Sequence, residues 1–219
     1  MTCLPSAAGP PSDVVSGNDG LPRCPWGVST PEYTRYHDEE WGRPVGDDAQ
    51  IFEKLCLEGF QSGLSWLTIL RKREGFRAAF ASFDPVVVAR FDDGDVARLL
   101  GDASIVRHRG KIEATIANAR AVVALWSEGR SLAHLLWAFE PPALPAATAG
   151  PVRLGEVPPA TAQSKALSAD LRRRGFRFVG PTTVYAAMQA LGVVNDHLQD
   201  CHFRALATAE RATFVAPTP

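Results

Sequence analysis

Four cysteines in 219 residues, Cys3, Cys24, Cys56 and Cys201, are too few and too scattered for a disulfide framework. No secretory apolar region precedes them, so the chain reads as one from a reducing compartment, soluble and cytoplasmic. No apolar run approaches the length of a membrane span, and no membrane partner is expected. An excess of charge is lacking too: 23 Lys and Arg stand against 24 Asp and Glu, a net of −1. A nucleic-acid partner would therefore have to be met by a local basic face, not by bulk charge. Sustained alternation of period two is absent, which excludes an ordinary β-sandwich or barrel. Nothing resembles a Ser-His-Asp triad, a phosphate loop or a dinucleotide fingerprint.

What is present is ordinary globular material, 46% hydrophobic and 21% charged, enough for one domain or one domain with a small lobe. Residues 1–22, rich in Pro, Gly, Ser and Asp, read as a disordered leader. Helices are expected from Asp47 onward. Ile51, Phe52, Leu55 and Glu58 fall at helical spacing, and a second helix spans about Ser65 to Ala81. Asp84-Pro85 is an N-cap followed by Pro at the first helical position. Short helices around Val96–Leu100 and Leu135–Phe139 flank a longer one through Ile112, Ile116 and Ala119. Residues 140–162 read as a long Pro- and Ala-rich loop. Beyond it, Ser164 to Arg174 is closed by Gly175, Pro181 opens a helix that Gly192 ends, and a final helix holds Asn195 to His202. The segment GFRFVG (175–180) is the only candidate strand. The fold class is all-α, with a helical domain over 23–203 and a tail over 204–219.

Two pairs of metal-ligand residues lie at opposite ends of the ordered chain. Twelve residues separate Cys24 from His37, and His197 and Cys201 stand four apart. Four residues is one helical turn, so His197 and Cys201 would share a face and could share an ion. Two Cys and two His fill a tetrahedral zinc shell with no open position, which makes such a site structural. The plain alternative is a buried Cys24 with incidental histidines. His202 is a possible substitute ligand, but it points half a helical turn away from His197.

Glu58 shares an apolar helix face with Ile51 and Leu55, so its carboxylate needs a partner or a ligand. Either it snorkels or meets an arginine, or it lines a pocket and complements positive charge. Trp26, Tyr33, Tyr36 and Trp41 crowd the N-terminal stretch, and Trp66 follows Glu58 across a turn bracketed by Gly59 and Gly63. These aromatics are either core or the walls of a slot for a planar, electron-poor ring. Further on, Arg107, His108, Arg109 and Lys111 cluster between two helices. They form either a solvated face or phosphate contacts beside a helix N-terminus. Arg172, Arg173, Arg174 and Arg177 make a weaker second patch.

Taken in order, RCPWG (23–27), YHDEEWG (36–42), LEGFQSGLSW (57–66), IVRHRGKIEATIANA (105–119), SKALSADLRRRGFRFVGPTT (164–183) and GVVNDH (192–197) resemble the bacterial 3-methyladenine DNA glycosylase I family. The resemblance runs from about Arg23 to Cys201. It implies a helix-hairpin-helix fold with a zinc snap joining the two ends through Cys24, His37, His197 and Cys201. It implies a base-recognising acid at Glu58 and pocket aromatics at Trp26, Tyr33, Tyr36, Trp41 and Trp66, with DNA contacts at Arg107, Arg109 and Lys111. The implied enzyme is a monomer that acts on double-stranded alkylated DNA and releases free 3-methyladenine. It is monofunctional: the family has neither a lyase lysine nor the catalytic aspartate of the wider superfamily. One departure is Ser104, where the family's hairpin commonly has Gly; a serine there resists positive φ. Two rival classes are a non-catalytic zinc-stapled DNA-binding module and a zinc hydrolase with an open ligand position.

Overall fold

The computed structural model describes residues 12–142 and 150–218. Among these, ten α-helices and one two-residue-wide ribbon carry the fold. The first half of the expected leader, residues 1–11, lies outside the described residues. Its last part is not irregular: Val15–Ser16 (β1) pairs antiparallel with Pro22–Arg23 (β2).

Helix α1 (Pro31–Glu39) precedes the first helix expected from the sequence. Thr30 caps it by accepting from the Tyr33 amide, and Pro31 occupies its first position. Helix α2 (Asp48–Gln61) starts where helices are expected, with Asp47 as its cap, and is buried on nearly every side of its C-terminal half. Its Asp48 carboxylate also accepts from the amides of Leu132 and Ala133, opening α7 (Leu132–Trp137). Helix α3 (Trp66–Ala79) is capped by Ser65. Asp84 and Pro85 open α4 (Pro85–Val88) as expected, and α5 (Asp93–Gly101) follows from an Asp92 capping box.

The longest element is α6 (Arg109–Ser127), which packs on α2, α4 and α5. Helices α8 (Ala162–Arg173) and α9 (Pro181–Ala190) pack on one another, and α9 lies along α2. Gly175 and Gly192 follow these helices at φ of 92° and 72°, the left-handed conformation a helix stop needs. The principal core lies around α2, with Phe52, Phe60, Phe76, Phe80 and Phe83 fully enclosed.

Three expectations are corrected. The segment Asn195–Cys201 is a chain of turns, not a helix; the helix is α10 (His202–Thr213), in the stretch read as a featureless tail. That tail is tied down: Arg211 pairs with Glu140 and lies 4.7 Å over the Trp137 ring, while Phe214 packs 4.7 Å from the same ring. The segment 175–180 is not a strand. Asn118 takes the Arg177 amide and donates to its carbonyl, which leaves Phe178 at a φ of 56°, outside any extended geometry. Of the expected loop 140–162, residues 143–149 lie outside the described residues, and Leu154–Glu156 makes a 3-10 turn.

Candidate active site

The N-terminal aromatics converge because α1 sets Tyr33, Tyr36 and His37 three and four residues apart, on one face. That face meets Trp26, held in the 3-10 turn Pro25–Val28. Trp26 is the hub: its ring lies 5.8 Å from Tyr33, 6.2 Å from Tyr36 and 5.1 Å from Trp41. Tyr36 in turn lies 5.5 Å from Trp66, the first residue of α3. The Tyr33 hydroxyl accepts from the Leu67 amide at 3.0 Å, fastening α1 to the start of α3.

These rings wall a cavity of about 320 Å³, and Glu58 looks into it from the last turns of α2. All six slot residues expected from the sequence line it: Trp26, Tyr33, Tyr36, Trp41, Glu58 and Trp66. Glu58 is only 6% exposed, and among the described residues no donor reaches its carboxylate. Burial pushes its carboxyl up from the usual 4.5 to about 7, against a smaller opposing pull from Lys54. The Trp66 indole N–H is likewise buried without a protein acceptor among the described residues. An unpaired acceptor looking into an apolar slot, with a second unpaired polar group buried in its wall, suits a flat ligand with a polar edge.

Sequence reasoning missed four polar neighbours. Lys54 stands one turn before Glu58 on the same helix, a spacing that was there to be read. Gln61, Gln189 and Asp196 complete the lining, and Asp196 accepts from the Tyr185 hydroxyl at 2.5 Å and the Gln189 amide at 2.7 Å. Gln189 and Asp196 come from the far end of the chain and carry no local signal.

Behind the Trp26 hub, Cys24, His37, His197 and Cys201 are all buried, with ligand atoms within 4.8 Å of one another. Cys201 Sγ lies 3.6 Å from His37 Nε2 and 3.5 Å from His197 Nδ1, and Cys24 Sγ lies 3.9 Å from His197 Nδ1. A tetrahedral shell with metal bonds of about 2.0–2.3 Å needs ligand atoms about 3.3–3.8 Å apart, so the group fits one ion. The other ring nitrogens are engaged: His37 Nδ1 lies 2.8 Å from Asp38, and His197 Nε2 lies 3.1 Å from the Trp41 carbonyl. Those contacts fix the tautomers that aim Nε2 of His37 and Nδ1 of His197 at a shared centre. Arg23 holds Asp38 from behind through a two-pronged ion pair. The exposed His202 is not part of the group.

The sequence profile of methyladenine glycosylase matches residues 26–205. DNA-3-methyladenine glycosylase 1 of Escherichia coli (strain K12) is 49% identical over 184 residues, which cover 83% of this chain and 96% of that protein. The chain belongs to the methyladenine glycosylase family. A crystal structure of 3-methyladenine DNA glycosylase I superposes at a TM-score of 0.78 with 47% identity, over 82% of this chain and 98% of that one. A Staphylococcus aureus 3-methyladenine DNA glycosylase I, solved to explain its recognition of 3-methyladenine, gives a TM-score of 0.75 at 34% identity, over 83% and 96% of the two chains.

The basic segment before α6 divides in two. Arg107 and Arg109 are exposed, the latter 3.5 Å from Glu113. Lys111 is not: it is 6% exposed, and its ammonium donates to the Phe60 and Ser62 carbonyls at 2.8 and 2.6 Å. Those carbonyls end α2, where a cation answers unpaired acceptors and the negative end of the helix dipole. Lys111 thus ties α6 to the turn between Glu58 and Trp66 and is no phosphate contact. His108 caps α6 by accepting from the Lys111 amide at 3.2 Å. Ser104 is not among the residues with positive φ; its amide and hydroxyl both close on Asp102, so serine there costs no backbone strain. In the second patch Arg172, Arg173 and Arg177 are exposed, while Arg174 folds back on Asp170.

Proposed function

We propose that the protein is a monofunctional DNA glycosylase that hydrolyses the N-glycosidic bond of 3-methyladenine in alkylated DNA. The observation that carries this reading is the buried, unpartnered Glu58 carboxylate in a slot walled by Trp26, Tyr36 and Trp66. Methylation at N3 makes the base a cationic leaving group, so the bond is already weak. The protein has to receive the flipped nucleotide, hold the base and favour the separating charges while water attacks the sugar. Glu58 accepts hydrogen bonds from the adenine edge and complements its positive charge; Trp66 stacks on the ring, Tyr36 helps orient it, and Trp26, Tyr33 and Trp41 back them. Arg107 and Arg109 meet phosphates of the double-stranded substrate beside the N-terminus of α6, in a helix-hairpin-helix arrangement of α5 and α6.

The Cys24, His37, His197 and Cys201 group is read as a zinc snap. Four protein ligands leave no open position, which favours a structural ion over the zinc hydrolase alternative. The glycosylase unit is the stretch 23–203, a cytoplasmic monomer, with the described flanking residues 12–22 and 204–218 laid against it. No helix among the described residues is long and apolar enough to cross a membrane. The test is chromatography of the bases released from methylated DNA. The reading requires free 3-methyladenine from the wild type and little from Glu58→Gln. A non-catalytic DNA-binding module would release none from either.

A further inference from the structure

Lys54 has no part in the reading above, yet it touches the slot from behind. Its side chain lines a second cavity of about 270 Å³ and does not line the first. From that side its ammonium donates to the Tyr36 hydroxyl at 2.8 Å. It also lies 4.6 Å from the centre of the Tyr36 ring and 4.5 Å from that of Trp66. One cation therefore engages the rear of both rings that wall the slot, and it stands one helical turn from Glu58.

We infer that Lys54 is a positioning residue for the base slot, fixing Tyr36 and Trp66 from the rear cavity and supplying the counter-charge that favours the ionised form of Glu58. The inference rests on the glycosylase reading of the slot. Lys54 itself is faced by Glu53 and Glu58 from α2, Glu40 just past the end of α1 and Arg73 from α3. Glu40 is taken up by Arg73, and Glu53 by Arg77, so Glu58 is the acid among these left without an ion pair. Around Glu58, Lys54 is the one charge among the described residues with a resolved influence; Tyr36 beside it is held neutral, chiefly by burial, and Asp196 lies elsewhere on the cavity wall. Without that charge the buried carboxyl would hold its proton to still higher pH than it does beside Lys54, and a protonated Glu58 could not complement a cationic base.

The experiment is the pH profile of kcat/KM for 3-methyladenine release by wild type, Lys54→Met, Lys54→Gln and Lys54→Arg, with metal content and melting recorded for each. Loss of the cation should move the acid limb upward by about one pH unit, a roughly tenfold loss on the limb with a much smaller change on the plateau. Lys54→Arg should return the limb toward the wild-type position. Lys54→Gln, which keeps a donor for Tyr36, carries the same test of charge where Lys54→Met does not fold. An active wild type and neutral variants with superimposable acid limbs would overturn the inference alone. A folded wild type that released no base would overturn the glycosylase reading, and this inference with it.

Discussion

Glu58 should cost the protein stability, and removing its charge should return some of it. The carboxyl rises from 4.5 to about 7 on burial. In the unfolded chain it ionises near its ordinary value; in the folded protein it keeps its proton until near neutrality. Between those two values the folded state holds the extra proton, so stability falls as pH rises, and above about pH 7 the full penalty is in place. At about 1.4 kcal/mol per pH unit the gap is worth about 3 kcal/mol. Glu58→Gln keeps the shape without the charge, but it also strips Lys54 of its counter-charge, and the Lys54 ammonium is already pushed down to about 8, chiefly by burial. The net gain should therefore be about 1–3 kcal/mol at about pH 8, or roughly 2–10 °C in Tm for a domain of this size. At about pH 4, below the unfolded value, the two proteins should melt within about 1 °C of one another. Urea unfolding of both proteins across that range is the assay; the metal group is common to both and cancels. Excision by the variant should meanwhile fall by roughly one to three orders of magnitude. If Glu58→Gln were less stable than wild type at about pH 8, the carboxylate would be part of a structural ion pair and its placement as a ligand acceptor would be wrong.

Metal analysis should give about one zinc per chain, and Cys201→Ala should lose the metal and more than about 3 kcal/mol of stability together; well-folded, active, metal-free protein would refute this. Replacing Arg107 and Arg109 by Ala should weaken binding to every DNA sequence alike and reduce the salt slope by about two; an unchanged slope would make them a solvated face. Lys111→Met should instead cost about 1–3 kcal/mol of stability by stranding the Phe60 and Ser62 carbonyls, which chemical denaturation measures directly.

Where a local rule was written into the chain, the sequence reading reached the element. The Asp47 and Ser65 caps, the Asp84-Pro85 pair and the stops at Gly175 and Gly192 each lie where capping chemistry requires. Thr30-Pro31 carries the same signature as Asp84-Pro85, and α1 was legible by the same argument; its dense aromatics fit a slot wall as well as a helix face. The metal quartet was found for a partly mistaken reason. His197 and Cys201 are brought together by turns, not by a helical repeat, and the Leu198 amide donates to Cys24 Sγ at 3.3 Å to close the group. The inward course of Lys111 was not legible, because a lysine among arginines beside a helix start looks the same whether its partner is a phosphate or the carbonyl end of another helix. The base slot itself was legible as a set of residue types; its rear cavity, built from charged groups on three helices and the Arg43–Val45 stretch, was not.

The quartet also sets when, during synthesis, the protein can begin to work. Four of the five slot aromatics lie on the segment that carries Cys24 and His37, while the other half of the metal group, with Asp196 beside it, is made near the end of translation. His37 and His197 are 160 positions apart, an interval of roughly 8–30 s at about 5–20 residues per second. Through that interval the nascent chain carries two metal ligands without their partners and one wall of a slot without its clamp. On the zinc-snap reading, a message broken upstream of codon 201 would yield a product that lacks the later half of the group on which the N-terminal aromatics close.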